Sequence, residues 1–476
     1  MMDSFRPRLQ RRIFDAKTRL VMGRDRAALT EMLAVERLAP QALAALVAER
    51  SARIALHAFR TTEFYREHYR SAGFTEADVA EPSNFTSLPA LTKQHLQDAP
   101  DALVSATSRP RDRLPSRTGG STGRPLIVQN DRTAPTAALW WRVHSWWGIH
   151  PGDDVAYIYR QSRRGRAKLA HTLEWWPTRQ VLLDARGTTA DSMEEFARAV
   201  DRVRPRLLTG YVEGVADYAR HVSSGIGPPA GLRAISVTAS SLHAGQRTVI
   251  EQALGAPVHD TYRSAEVSWI AAECSGHRGL HVLADRRRVE VVDADGVTVP
   301  DGQTGEVLVT DFDNRVFPLV RYRIGDRTRV LSGPCPCGRT LGRIDHLDGR
   351  VADILRAPSG RTVSGGLGGL FNPWPGAVRQ FQVHQGRDHR ISIRYVAGPD
   401  PAAAAEAAEQ VRRQVAGFLA GEVAVEAVPV SAVDSSGGKA RLVVSEVTTK
   451  GGVPEGEKTF LPGGAPRVYT QGSADR

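Results

Sequence analysis

The sequence lacks the features that mark several large classes of protein. No run of about 18 or more apolar residues occurs in the 476-residue chain, so we expect no membrane span. The basic N-terminus, MMDSFRPRLQRRIFDAK, has no apolar segment of the kind found in signal peptides. We therefore expect a cytoplasmic protein.

Cysteine is scarce, and no basic block interleaved with aromatic residues occurs. The three cysteines are an odd number in a long chain, which argues against a disulfide framework. Lys and Arg together number 63 against 52 acidic residues, a net charge of +11. The arginines are spread along the chain and not interleaved with aromatic residues in one block, so we expect no nucleic-acid partner. A phosphate-rich small molecule would also suit the charge.

The pattern of apolar residues predicts an α/β protein. Helical spacing runs through residues 28–106, and from Arg113 short apolar runs alternate with helix-length segments. Such alternation is typical of a largely parallel sheet flanked by helices. The runs predicted as buried strands are VAYIY, QVLLD, RLLTGY, AISVTAS and PVHDTY.

The second half of the chain predicts a change of architecture. After Leu280 short strands follow at tight spacing, which indicates an antiparallel, β-rich subdomain with DADG as a hairpin turn. We predict a large domain over residues 1–349 and a small, mobile α+β domain over residues 350–448. Residues 449–476 are rich in Gly, Pro and Lys, and we expect them to be disordered.

A loop rich in small residues is the strongest local signal. SRTGGSTGRP, Ser116–Pro125, could bring backbone N–H groups and the hydroxyls of Thr118, Ser121 and Thr122 to phosphate oxygens. It is not the P-loop motif, because the lysine is missing and the spacing differs. A flexible surface turn explains the composition equally well.

Two further segments offer groups that could bind a nucleotide. DTYRSAEV follows a predicted strand, where Tyr262 could stack on a base, Ser264 could bond a phosphate and Glu266 could hold Mg²⁺. RYRIGDRT places Asp326 in a turn between strands, from which it could accept hydrogen bonds from ribose hydroxyls. An N-terminal Glu of a helix and an ordinary Gly-Asp turn are the plainer interpretations.

A lysine near the C-terminus could act on a site in another domain. SSGGKARLVVSEV places Lys439 on a glycine-rich loop just before an apolar strand. A solvated surface lysine is the common alternative. Each motif is weak alone, and their order along the chain is the stronger signal.

In that order, the motifs resemble those of the adenylate-forming superfamily, and most closely its phenylacetate–CoA ligase and capsule-biosynthesis-protein family. The resemblance extends over residues 52–447. It rests on the N-terminal RTTEFYREHYRSAGF, the phosphate loop TGGSTGRP, the adenine and magnesium motif YRSAE, the ribose motif RYRIGD, the hinge GRVADIL and the lysine loop GGKARLVVSEV.

The resemblance implies a set of nucleotide contacts. Asp326 would hold the ribose hydroxyls of ATP, with Arg350 close to the ribose, and Tyr262 would lie against adenine. Ser264 would lie near the α-phosphate. The groups implied in binding the β- and γ-phosphates come from one loop: Thr118, Gly120, Ser121, Thr122 and Gly123.

It also implies catalytic groups. Glu266 would bind Mg²⁺, and Lys439 would bridge the acid and the α-phosphate. Attack of a carboxylate on ATP brings two anions together, so positive charge at the reacting phosphorus is what the chemistry needs.

The resemblance also suggests a role for the cysteines. CPCG supplies Cys335 and Cys337, and ECSGHRGLH supplies Cys274, His277 and His281. Relatives in this family carry Cys/His sites in these two segments, so a closed structural zinc site is expected. The favoured ligands are Cys274, His281, Cys335 and Cys337, with His277 as the alternative to His281. Three reduced thiols without metal are the competing interpretation.

The expected reaction is ATP-dependent activation of a small carboxylic acid, followed by transfer to coenzyme A or a carrier-protein thiol. Trp140, Trp141, Trp146 and Trp147, with His144, could form an aromatic wall for an aryl acid, although core packing explains most of them. Transfer to an amine or other non-thiol acceptor, and a catalytically silent nucleotide-binding protein, are the alternatives. Glu266, Asp326 and Lys439 together argue against the silent protein.

Overall fold

The computed structural model describes residues 2–118, 126–159, 165–185, 190–225, 227–242, 244–347, 354–359, 362–364, 376–433, 442–447 and 458–460, with positions 367, 370–371 and 373–374. The chain divides into two compact units. One extends through Leu347, and the other contains the described residues from Ile354 onward.

Twelve α-helices lie within the described ranges, and several begin where the sequence supplies a cap. Asp400 accepts hydrogen bonds from the N–H groups of Ala402 and Ala403, and Thr75 and Asp78 form a reciprocal capping box. The helices are α1 Met2–Val21, α2 Gly23–Val35, α3 Pro40–Thr61, α4 Glu63–Ser71, α5 Glu76–Ala80, α6 Lys93–Asp98, α7 Thr136–Ser145, α8 Gly165–Trp175, α9 Ala190–Val203, α10 Val212–Ser223, α11 Ala244–Leu254 and α12 Pro401–Phe418.

Short 3₁₀ helices and twenty strands complete the described elements. The 3₁₀ helices are Pro82–Ser87, Asp101–Leu103 and Pro110–Asp112. The strands are β1 Arg113–Thr118, β2 Leu126–Asp131, β3 Val155–Tyr159, β4 Gln180–Asp184, β5 Leu207–Tyr211, β6 Ala234–Thr238, β7 Val258–Tyr262, β8 Ala271–Glu273, β9 Leu280–Val282, β10 Arg287–Val292, β11 Thr304–Asp311, β12 Tyr322–Leu331, β13 Arg343–Ile344, β14 Ile354–Arg356, β15 Thr362–Ser364, β16 Val378–Gln385, β17 Ile391–Ala397, β18 Val425–Pro429, β19 Val443–Ser445 and β20 Lys458–Phe460.

An 11-stranded sheet organises the first unit, in the order β10-β11-β12-β13-β9-β8-β7-β6-β5-β3-β4. Strands β3 to β7 pair in parallel. They coincide with the five apolar runs in which the sequence predicts buried strands. From β7 onward the pairing is antiparallel, so one sheet joins a parallel half to an antiparallel half. The predicted α/β class with a β-rich subdomain is confirmed.

Asp326 does not occupy a turn between strands, and that detail of the prediction is wrong. It lies inside the ten-residue strand β12. The pairing of β12 with β11 shifts register between Glu306 and Leu308, and Gly325 has a φ of 87°. Gly-Asp therefore forms a bulge in a continuous strand, because pairing with β11 continues on both sides of it.

Three apolar cores surround the sheet. Helices α9, α10 and α11 cover one face of the parallel half, with Ile158, Leu208 and Val237 buried beneath them. On the other face lie the tryptophans of α7 and its C-terminal end; Trp141 is 0% exposed. A third core joins α3 and α4 to the antiparallel half. The tryptophan cluster is thus largely core, as its helical spacing suggests.

The second unit is an α+β fold. Strands β16 to β19 form a sheet in the order β18-β17-β16-β19, and α12 packs Val411 and Val415 into its core. Strands β14, β15 and β20 form a separate small sheet. Strand β20 belongs to the stretch 449–476, whose other residues lie outside the described ranges. Within the described ranges, no helix combines the length and apolarity needed to cross a membrane.

Candidate active site

Two of the predicted nucleotide-binding residues meet at the middle of the sheet. Tyr262 is the last residue of β7, and its hydroxyl donates a hydrogen bond to Oδ2 of Asp326 at 2.7 Å. The two side chains are 5% and 7% exposed. A carboxylate has about four acceptor positions, so Asp326 can accept further hydrogen bonds beside this one.

The segment after Tyr262 forms a compact loop that leads into β8. The N–H of Ser264 donates to the carbonyl of Val267 at 3.0 Å, and the Ser264 hydroxyl oxygen accepts the N–H of Val267 at 2.9 Å. Glu266 lies half-buried in this loop. No helix begins here, so a Glu at a helix N-terminus does not explain the motif.

Other predicted residues fall wholly or partly outside the described ranges. The backbone of Thr118 ends strand β1 opposite Leu126 of β2, so the two strands hold both ends of the phosphate loop. The loop and the two remaining positions lie outside the described residues: Gly120, Ser121, Thr122, Gly123, Arg350 and Lys439.

A partly buried charge network supports the end of β7. His346 is bracketed by two carboxylates, with Nδ1 3.0 Å from Asp260 and Nε2 3.2 Å from Glu273. Arg247 donates to both oxygens of Glu273 at 2.9 Å. Burial alone would lower the pKa of His346, but hydrogen bonds to Asp260 and Glu273 raise it to about 10. The imidazole is therefore a cation at neutral pH.

The same network controls the ionisation of its carboxylates. Burial would raise the pKa of Glu273, but hydrogen bonds with His277 and His346 and the charge of Arg247 hold that pKa well below its usual range. At Asp260 burial prevails over the hydrogen bond from His346 and raises the pKa. The network thus fixes β7 just ahead of Tyr262.

The four favoured metal ligands come together in the first unit. Their donor atoms all lie within 4.8 Å of one another. The Sγ atoms of Cys274 and Cys335 are 3.6 Å apart, and Sγ of Cys337 lies 3.3 Å from Nε2 of His281. Two sulfurs on a tetrahedral zinc would be about 3.8 Å apart, given Zn–S bonds of about 2.3 Å. The donor set fits a closed zinc site.

A backbone carbonyl orients the His281 ring for metal binding. Nδ1 of His281 lies 3.0 Å from the carbonyl of Leu341, which leaves Nε2 as the atom that faces the thiols. Burial raises the pKa of the Cys274 thiol to about 12. His277 does not join this group; its Nδ1 lies 3.4 Å from Glu273, and its ring stacks on His259.

Comparison with known proteins agrees with these motifs. No family model matches the chain. The phenylacetate-coenzyme A ligase of Escherichia coli (strain K12) is 28% identical over 338 residues, which cover 68% of this chain and 75% of that protein. Protein CapK of Staphylococcus aureus is 24% identical over 311 residues, 63% of this chain and 66% of CapK.

Solved structures share the fold. The crystal structure of 2-hydroxyisobutyryl-CoA ligase in the postadenylation state superposes with a TM-score of 0.68 at 21% identity, covering 84% of this chain and 89% of that one. These sequence relatives support the phenylacetate–CoA ligase and capsule-biosynthesis-protein-like family, and the solved structures share its adenylate-forming fold. The family suspected from the motifs is confirmed.

In this adenylate-forming ligase, the sequence motifs predicted no role for Arg263 or for the His346 network. Arg263 directly follows Tyr262, and its Nη2 donates to the hydroxyl of Tyr159 at 2.5 Å. Its place inside the YRSAE motif could have drawn attention to it. His346 and Asp260 are 86 positions apart in the sequence, so no local sequence pattern predicts that they pair.

Proposed function

We propose that this ligase activates a carboxylic acid with ATP and then transfers the acyl group to the thiol of coenzyme A or of a carrier protein. The observation that carries the proposal is the hydrogen bond between Tyr262 and Asp326, because it joins an adenine motif and a ribose motif at one strand end. Ligands of α/β sheets bind beyond the carboxyl ends of parallel strands, which is where β7 ends.

Two displacements account for the reaction. In the first, a carboxylate oxygen attacks the α-phosphorus of ATP, and the bond to the β-phosphate oxygen breaks, releasing pyrophosphate. In the second, the thiolate sulfur attacks the acyl carbon, the bond to the phosphate oxygen breaks, and AMP leaves. The thiol proton passes to solvent. Neither step needs a redox partner.

The nucleoside is held by the strand-end residues. Tyr262 would lie against the adenine ring, and Asp326 would accept the ribose hydroxyls while its Oδ2 keeps the hydrogen bond from Tyr262. Arg350 would lie close to the ribose. A carboxylate fixed by a buried phenol loses little orientational freedom on binding, which favours tight positioning of the α-phosphate.

The phosphates would be bound by the loop between β1 and β2. The hydroxyls of Thr118, Ser121 and Thr122 and the backbone N–H groups near Gly120 and Gly123 would donate to phosphate oxygens. The hydroxyl of Ser264 would reach the α-phosphate. Its contact with the carbonyl of Val267 is long, 3.4 Å, so its proton can turn to a phosphate oxygen at small cost.

Glu266 and Lys439 would supply the charge that the first step needs. The half-buried Glu266 carboxylate offers the hard oxygen donor that Mg²⁺ prefers, and bound Mg²⁺ would neutralise charge on the phosphates. The ammonium group of Lys439 would bridge the acid carboxylate and the α-phosphate, which reduces repulsion between the two anions.

We also propose a structural zinc site. Cys274, His281, Cys335 and Cys337 supply four protein ligands, and zinc sites closed in this way are structural rather than catalytic. The ligands come from β9, the turn after β8 and the loop after β12. A metal there would fasten these segments together next to the network that supports β7.

An aryl acid is the class of substrate that we favour. The rings of Tyr159 and Tyr211 stand edge to face at strand ends in the parallel half, with centroids 5.1 Å apart. The Arg263 guanidinium lies over the rings of both Trp269 and Tyr159. Aromatic side chains at a ligand-binding edge provide flat apolar surface for an aromatic ring.

Acid-dependent exchange of labelled pyrophosphate into ATP tests the proposal. We expect exchange with Mg²⁺ and one class of acid in the absence of thiol, and thioester formation once coenzyme A or a carrier protein with a free thiol is supplied. An amide product in place of a thioester would show that the acceptor is an amine. ATP binding without exchange across aryl and aliphatic acids would contradict the adenylation step.

A further inference from the structure

Arg263 is a half-buried cation without a carboxylate partner in the described part of the chain. Its Cζ lies 4.5 Å from the ring centroid of Trp269 and 5.7 Å from that of Tyr159. Among the described residues, its Nη2 donates to the Tyr159 hydroxyl, and its buried Nε has no partner. A guanidinium has five N–H donors, so it can donate to further acceptors.

The fully buried arginines of this unit are neutralised by carboxylates. Arg142 donates to Asp285 at 2.6 Å, and Arg287 donates to Asp311 at 2.6 Å. Withdrawing a charge from water without a counter-charge is costly. Arg263 has no such carboxylate among the described residues, and a ligand anion would supply the missing counter-charge.

The guanidinium lies at the edge where the acid is expected. Tyr159 and Tyr211 end strands β3 and β5, and the hydroxyls of Tyr159 and Thr209 are 2.8 Å apart. Thr209 is opposite Tyr157 in the register of these two strands, so Tyr159, Thr209 and Tyr211 share one face of the sheet. Arg263 points its Nη2 to this face from the end of β7.

Other polar atoms in the same layer also lack partners. Ser236 Oγ and His259 Nδ1 are buried and unbonded, and the two residues lie opposite each other on β6 and β7. His144 Nδ1 is a third such atom, and its ring lies 5.9 Å from that of Trp269. Buried polar atoms without partners indicate a ligand or ordered water.

The two histidines of this layer are neutral, unlike Arg263. Burial, and then the nearby charge of Arg263, lowers the pKa of His144 to about 3, so this imidazole is neutral at pH 7. Burial likewise lowers the pKa of His259 to about 3. A neutral histidine can donate or accept a hydrogen bond but cannot attract an anion as Arg263 can.

We propose that the acid activated by this ligase carries a second anionic group, a carboxylate, which binds the Arg263 guanidinium. The proposal rests on the adenylation proposed above. One carboxylate of the substrate would react with ATP, while the other would make a charge-assisted, bidentate pair at the far end of the pocket. Tyr159 would orient the guanidinium through its hydrogen bond.

Pyrophosphate exchange with matched acids tests this assignment. The pairs differ by one carboxylate: benzoate and isophthalate, phenylacetate and 4-carboxyphenylacetate, valerate and adipate. We expect the diacid to exceed its partner in kcat/KM by about 100-fold or more, because a monoacid leaves the cation unpaired. Arg263→Gln should bring that ratio to within about fivefold of unity, and Arg263→Lys should keep part of it.

The measured quantity is kcat/KM for the diacid divided by kcat/KM for the monoacid. A general loss of activity or of folded protein lowers both values and leaves this ratio unchanged. Arg413→Gln, at an exposed ion pair on α12, is the matched control and should keep the wild-type ratio. If the wild-type enzyme has equal kcat/KM for monoacids and diacids, the role of Arg263 is wrong, although adenylation is still supported. If Arg263→Gln keeps the preference for diacids, the role of Arg263 is likewise wrong and adenylation is still supported. If no acid supports pyrophosphate exchange although ATP binds, both the adenylation activity and the role of Arg263 are contradicted.

Discussion

The phenolic hydroxyl of Tyr262 donates to the carboxylate of Asp326 at 2.7 Å, and both side chains are buried. The residues are 64 positions apart, on the last parallel strand and on an antiparallel strand of the same sheet. The contact therefore spans the junction between the two halves of the sheet. We infer that this junction is the nucleotide-binding edge of the ligase.

Tyr262→Phe should weaken ATP binding while keeping the ring that would lie against adenine. We expect KM for ATP to rise about 5- to 10-fold in pyrophosphate exchange, which corresponds to the loss of one hydrogen bond of about 1 kcal/mol. Tyr395→Phe, in the core of the second unit, is the matched control and should leave KM unchanged. An unchanged KM for Tyr262→Phe would contradict the role given to this pair.

Lys439→Ala should abolish adenylation with little effect on ATP affinity. Its ammonium would act mainly where charge develops at the α-phosphorus, so the loss should appear in kcat, by about 100-fold or more. Calorimetry should find ATP affinity within about threefold of wild type. Lys168→Ala, an exposed lysine of α8, should behave as wild type. Exchange at the parent rate in Lys439→Ala would show that this lysine has another role.

Zinc content should depend on His281 and not on His277. Protein purified without chelators should hold one zinc per chain by mass spectrometry of the metal. His281→Ala should lose it and become less stable by at least about 3 kcal/mol, because metal binding adds to folding free energy. His277→Ala is the matched control and should keep the metal. Wild-type protein without zinc would refute the site.

The stabilisation from His346 should depend on pH in a defined direction. Its pKa is about 10 in the folded chain and about 6.5 in an unfolded one. The contribution is therefore complete below pH 6.5 and disappears as pH rises through 10. The side chain is 35% exposed, so screening reduces the expected effect to about 2 kcal/mol.

Chemical unfolding of His346→Gln at several pH values measures this effect. The loss of stability against wild type should be about 2 kcal/mol at pH 6 and less than half of that at pH 10. His171→Gln, on helix α8, has no such pair of carboxylates and should show no comparable trend. A larger loss at high pH would mean that His346 is neutral in the folded protein.

The strands of the fold could be predicted because each is a short apolar run between turn residues. VAYIY and QVLLD match β3 and β4 residue for residue. The position of Asp326 could not be predicted in the same way. Gly-Asp is compatible with a turn and with a bulge, and pairing with β11 decides between them. That pairing is a tertiary effect absent from local sequence.

The candidate site could likewise be predicted only in part from the sequence. A known order of motifs led to Tyr262, Asp326 and Glu266, although it could not give the hydrogen bond that joins the first two. The network of His346 and the unpaired charge of Arg263 depend on partners far away in sequence: Tyr159 is 104 positions from Arg263. Such relationships emerge only when the chain is folded.

Transfer of oxygen isotope tests the central claim most directly. The acid is labelled with ¹⁸O in its reacting carboxylate and incubated with ATP, Mg²⁺ and the thiol acceptor. If the carboxylate attacks the α-phosphorus, one ¹⁸O atom leaves with AMP, and pyrophosphate stays unlabelled. ¹⁸O in inorganic phosphate, with ADP as the other product, would show attack at the γ-phosphorus and contradict an acyl-AMP intermediate.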